Sequence, residues 1–164
     1  MHQFGLYLFI KTLLQALNPA LAISYNDMDS NGNNCCGVYI KGDAPEVRHL
    51  ADLSYSNSVA RVQLLQVCAL DNNSLMTAQE VLSEFQSIMC FYANDTIKLD
   101  ISKIGIDPTT NKVVYADGTT TLSPAYLTIV RADVLSDVLY IGKTEQGKPQ
   151  LSLNLKIFYT VGGN

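Results

Sequence analysis

The sequence predicts an α+β domain: a mostly antiparallel or mixed β-sheet with two α-helices packed on one face. Three observations point there. Apolar residues recur at helical spacing near the start of the chain and again between Ala78 and Tyr92. Elsewhere, apolar and polar residues alternate in runs bounded by Gly, Pro, Asn and Asp, the pattern of strands and turns. The resulting order of helix, strands, helix, strands lacks the regular alternation of a parallel α/β sheet. A length of 164 residues fits one domain over 1–164, and 48% hydrophobic with 16% charged residues supplies a core.

The first helix is expected over about 3–17. Leu6, Phe9, Ile10, Leu13, Leu14 and Leu17 share one face, and Tyr7, Lys11 and Gln15 occupy the other. The segment ends in Ala20-Leu21-Ala22, which resembles a signal-peptidase site. However, Lys11 interrupts the apolar run and no basic residue precedes it, so an amphipathic helix ended by Asn18-Pro19 is the better reading. It is too short and one-sided to span a membrane. Ala22 to Tyr25 reads as a strand, NDMDSNGNN as a polar loop, CCGVYIKG as a strand, and Gly42 to Asn57 as a long loop.

SVARVQLLQVCAL (Ser58 to Leu70) is β-branched and apolar on both faces apart from Arg61, Gln63 and Gln66, which suits a central strand. The second helix is expected over about 76–92, with Thr77 and Glu80 as a capping box and Ala78, Val81, Leu82, Phe85, Ile88, Met89 and Tyr92 inward. Thr96 to Ile106 alternates, DPTTN turns, and Lys112 to Ala116 returns. Pro124 to Val130 is a further extended piece. A hairpin over about 138–161 turns at TEQGKP and closes the chain. Its last strand points Leu151, Leu153, Leu155, Ile157, Tyr159 and Val161 one way, and Ser152, Asn154, Lys156 and Thr160 the other.

The formal net charge is −4 and the sequence pI is near 5.0. A primary nucleic-acid binder normally carries a basic excess. The lysines (Lys41, Lys98, Lys103, Lys112, Lys143, Lys148 and Lys156) are scattered along the chain. The four cysteines, Cys35, Cys36, Cys68 and Cys90, match no zinc spacing. Cys68 and Cys90 sit in apolar stretches as small hydrophobes, and a vicinal Cys35-Cys36 disulfide is the less favoured alternative to idle thiols in a reducing compartment.

Neither histidine, His2 nor His49, is placed to serve a hydrolase triad. Asp27, Asp29, Asn31 and Gly32 can be laid on the start of a calcium loop. The twelfth position, which should supply a bidentate glutamate, is Val38. Gly32, Gly37 and Gly42 lack the strand-turn-helix context of a phosphate cradle. No catalytic, cofactor or metal set emerges. The interface candidates are Arg61 and Gln63, polar on an otherwise apolar strand, and Lys143, Glu145 and Lys148, which crowd one hairpin turn. For each of them an ordinary solvated face is an equal reading.

The stretches GVYIKG, VARVQLLQVCALD, TAQEVLSEFQSIM and YIGKTEQGKPQLSLNLKIFYT, in this order after an apolar helix, resemble the tail terminator (tail completion, minor capsid-type) proteins of long-tailed bacteriophages. The specific part covers Val59 to Met89 and the closing hairpin. Asp27 to Asn34 and Ile106 to Val134 depart from that pattern as longer segments. The resemblance implies a structural virion protein of the tail and neck, assembled in the host cytoplasm, with no enzymatic activity. It implies a homo-hexameric ring on the head-proximal end of the tail tube that stops tube polymerisation and joins tail to head. Its partners would be further copies of itself, the tail tube protein and the head-tail connector or stopper, with DNA only as passing cargo and no membrane. The alternatives are another connector, stopper or minor tail protein, and after those a small calcium- or ligand-binding module.

Overall fold

A computed structural model describes residues 2–29, 32–46, 57–91, 97–100, 104–106, 113–115 and 125–163. The chain is α+β. Helix α1 (His2–Leu17) leads into β1 (Ala22–Tyr25), β2 (Cys35–Glu46) and β3 (Asn57–Val67). Helix α2 (Asn72–Phe91) then precedes β4 (Ile97–Asp100), β5 (Ile104–Ile106), β6 (Val113–Tyr115), β7 (Ala125–Lys143) and β8 (Pro149–Gly163). Among the described residues the main sheet has six strands in the order β1-β2-β3-β8-β7-β4, while β5 and β6 form a separate antiparallel pair; the DPTTN segment expected to turn between them lies outside the described residues. Among the described residues only β1 and β2 run parallel; the other pairings are antiparallel, so the sheet is mixed.

Both helices pack on the same face, in one apolar cluster. Leu6, Ile10 and Leu14 of α1 and Leu82, Phe85 and Met89 of α2 meet Val38, Val62, Leu64, Leu151, Leu153 and Leu155. Register explains the face: Val38 lies opposite Leu64 and Leu64 opposite Leu153, so one row of aliphatic side chains crosses three strands. Each fully buried leucine contributes roughly 1.5–3 kcal/mol of transfer free energy, and the shared face makes the two helices one cooperative layer. As the alternation in sequence requires, β3 and β8 are central and β8 turns its odd-numbered residues to the helices.

Several elements differ from expectation. α2 starts earlier, because Asp71 rather than Thr77 is its cap: Asp71 Oδ1 accepts the Ser74 amide at 2.7 Å and Asp71 Oδ2 the Ser74 hydroxyl at 2.8 Å. Thr77 and Glu80 are exposed within the helix. Tyr7 turns inward, and its hydroxyl donates to the Ile23 carbonyl at 3.3 Å. Cys90, expected as a small hydrophobe, is exposed, whereas Cys68 is buried. The loop expected over Gly42 to Asn57 is trimmed at both ends, since β2 runs to Glu46 and β3 begins at Asn57. The closing hairpin is much longer than 138–161, because β7 is continuous from Ala125 to Lys143.

The loop between β1 and β2 explains Gly37. Parallel pairing obliges the chain to travel back along β1 before entering β2. It does so across the sheet face opposite the helices: a Cβ on Gly37 would lie 2.6 Å from the Asp27 carbonyl oxygen and 3.0 Å from the Met28 Cβ. Asn26 starts this return with φ at 51°, a left-handed conformation that asparagine tolerates. Its amide donates to the Val38 carbonyl at 2.9 Å and its side-chain oxygen accepts the Ile40 amide at 2.9 Å, so it continues the β1 ladder after the strand has ended.

Candidate functional site

The face of the sheet away from the helices is polar, and strand register organises it into rows. Across β2, β3, β8 and β7 one row reads Lys41, Arg61, Lys156, Asp133. The next reads Tyr39, Gln63, Asn154, Ser136, and the one beyond it Gly37, Leu65, Ser152, Leu139. On the other side of the charged row, Val59 lies opposite Phe158 and Phe158 opposite Arg131.

The rows are wired together. Arg61 Nε donates to Asp43 Oδ2 at 2.7 Å, with the arginine side chain still 62% exposed. Arg131 pairs with Asp133 at 3.0 Å, and its guanidinium carbon stands 4.0 Å above the Phe158 ring, a cation–π contact that helps bury that ring. In the polar row, Asn154 Nδ2 donates to the Ser136 hydroxyl oxygen at 2.8 Å, and Gln63 Nε2 reaches the Ser152 hydroxyl oxygen at 3.5 Å. A groove of about 640 Å³ runs over these rows, bordered by Asn26, Tyr39, Arg61, Gln63, Leu135 and Asn154. Burial, then the Asp27 carboxylate, pushes the Tyr39 hydroxyl above its ordinary value and keeps it a neutral hydrogen-bonding group.

The second feature is the hairpin end. β4 pairs with β7 only from Tyr126 to Ile129, so among the described residues nothing pairs with the outer edge of β7 beyond Ile129. That open edge carries Leu135, Leu139, Tyr140 and Ile141, each about half exposed. Leu70, 69% exposed, packs beside Gly147 of the turn, and Met76, 59% exposed, lies in the first turns of α2 at the same end. Of the six large apolar side chains exposed among the described residues, only Leu135 stands away from this end. Gly147 holds the turn with φ at 77°, and its amide donates to the Thr144 carbonyl at 2.9 Å.

The interface candidates from sequence separate into two places. Arg61 and Gln63 lie side by side in the groove, and Lys143 and Glu145 are exposed at the turn. Lys148 folds back: it is only 9% exposed, and its ammonium donates to the Gly32 carbonyl at 3.0 Å, tying the turn to the β1–β2 loop. Lys41 and Lys156, apparently scattered in sequence, stand on either side of Arg61. Only strand register shows this.

The other chemical groups are occupied or buried. Cys35 and Cys36 point to opposite faces of β2, and all four cysteines are free thiols. Burial and the neighbouring Cys35 push the Cys36 thiol up to about 12, while burial and Asp71 push Cys68 up to about 11. Asp27 spends Oδ1 on the Met28 amide at 2.8 Å, and the Asp29 carbonyl accepts the Gly32 amide in a tight turn. Among the described residues no group of three or more His, Cys, Asp and Glu side chains converges as a metal site. His49 lies outside the described residues, as do Ser30 and Asn31 of the calcium-like pattern. No helix among the described residues is long and apolar enough to cross a membrane. No protein-family model matches this chain, and no curated protein matches it.

Proposed function

We propose that the protein is a ring-forming virion subunit of the tail-terminator type. On this reading it caps the head-proximal end of a phage tail tube, stops its polymerisation, and presents the surface to which the head connector or stopper docks. The observation that carries this is the hairpin end. An unpaired strand edge beside a cluster of exposed apolar side chains is costly for an isolated domain, and natural sheets usually blunt or cover such edges. Here, among the described residues, nothing pairs with the β7 edge where Leu139, Tyr140 and Ile141 gather next to the turn. An assembly partner that adds a strand would satisfy the free amides and carbonyls and bury those side chains together. The tail tube end, itself a ring of repeated subunits, is the partner that fits this role.

The segments that resemble tail terminators, Val59 to Met89 and the closing hairpin, supply the two central strands, α2 and this edge. The test is electron microscopy of phage tails assembled without the protein. Overlong tails without heads are the expected result; tails of normal length that still join heads would remove the assignment.

A further inference from the structure

The charged row on the open face is a second surface that folding alone does not explain. Lys41, Arg61 and Lys156 stand directly opposite one another on three adjacent strands. Strands lie about 4.8 Å apart, and like charges in directly opposed positions destabilise a sheet. Among the described residues the nearby carboxylates neutralise Arg61 but leave the two lysines of the row without an ion pair, although Asp133 stands opposite Lys156 in register. Asp43 is taken by Arg61, and Asp133 is paired with Arg131. Lys156 rests 5.3 Å from the Phe158 ring, and among the described residues neither its ammonium nor that of Lys41 has a carboxylate at ion-pair distance.

The complementary surface lies on the other side of the same molecule. α2 contains no lysine or arginine from Asn72 to Phe91, and its exposed side carries Glu80 and Glu84, flanked by Gln79 and Ser83. Two carboxylates four residues apart stack on one helix face at about 5–6 Å and repel each other. That spacing is close to the step between cations along the row. The helix cannot reach its own row, because the sheet lies between them.

We propose that neighbouring copies pack front to back, with the Lys41–Arg61–Lys156 row of one copy receiving the acidic outer face of α2 of the next. Two self-repelling surfaces become one attractive contact. Because the two surfaces differ, the contact is head-to-tail and propagates from copy to copy, and it closes into a ring when the rotation between copies closes. The inference rests on the ring reading above and adds the seam between copies. A nucleic acid is the other polyanion that could seek the row, but the aspartates beside it and the net charge of −4 favour a sparsely charged protein face.

The test is sedimentation of the full chain and two charge-reversed variants, Lys41→Glu/Lys156→Glu on the row and Glu80→Lys/Glu84→Lys on α2. Wild type is expected to associate, with affinity falling roughly tenfold or more from low to high salt. Each variant alone should sediment as a folded monomer, checked by circular dichroism. Their equal mixture should associate again, because each variant then offers the surface that the other lacks. Variants that associate like wild type, or a mixture that stays monomeric, would overturn the seam and leave the ring reading standing. Wild type that stays monomeric at every concentration would overturn both. A row variant that keeps self-association but loses binding of a single-stranded oligonucleotide would overturn the seam in favour of nucleic acid.

Discussion

On the helix side of the sheet, β3 and β8 present Ala60, Val62, Leu64, Leu151, Leu153 and Leu155, all buried. On the open side, one residue further along, the same strands present Arg61, Gln63, Asn154 and Lys156, exposed or only partly covered. Both sets come from one backbone in one register, so the difference lies entirely in the side chains. The helix side follows the rule of maximal apolar burial. The open side breaks rules that an isolated domain has reason to keep, through its opposed cations and, at the hairpin end, an apolar edge that no described residue pairs with. The two helices account for stability, and the surfaces open to assembly are those where the sheet is not satisfied on its own.

The largest expected effect tests the helix side. Phe85 is fully buried between α2 and the sheet, and Phe85→Ala should cost about 3–5 kcal/mol in denaturant unfolding. A loss below about 1 kcal/mol would mean that α2 is not seated as described. A smaller effect is expected on the open side at Gly37. Gly37→Ala places a methyl against the Asp27 carbonyl and the Tyr39 ring, and should cost roughly 1–3 kcal/mol. Unchanged stability would show that the β1–β2 loop does not lie on the sheet.

Gln66 sharpens the comparison because it is the exception on the helix side. It is 1% exposed, and among the described residues neither its amide nitrogen nor its oxygen has a hydrogen-bond partner. Replacing it by a similar apolar shape removes that penalty, so Gln66→Met should raise stability by about 1–2 kcal/mol. Destabilisation instead would mean that the amide is satisfied in solution. The smallest effect belongs to the charged row: Lys41→Gln should leave monomer stability unchanged or raise it by roughly 0.5 kcal/mol, since a like-charged neighbour is removed.

How much of this was legible in the sequence follows from how local each signal is. The helices and β8 declare themselves by periodicity, because their facing residues are two to four positions apart. Mixed pairing with two helices on one face followed from their order. The start of α2 is ambiguous in sequence because two capping patterns stand in tandem, and Asp71 with Ser74 caps the helix in place of Thr77 with Glu80. β7 shows in the sequence only as separate pieces, because it carries register shifts between Ile129 and Arg131, Val134 and Ser136, Ser136 and Leu139, and Tyr140 and Gly142. Each shift resets the alternation, so no single period of two runs through it. The charged row was invisible for a different reason. Lys41, Arg61 and Lys156 belong to three strands, and only pairing brings them together. Arg61 and Gln63 stood out alone as polar residues on an apolar strand, and both border the groove.

Whether other subunits cover the open face and the hairpin end is read directly from the mass of this chain in solution. Light scattering over a wide concentration range should show 18.0 kDa monomers giving way to one discrete closed oligomer. A mass of 18.0 kDa at every concentration, in low salt as in high, would contradict it.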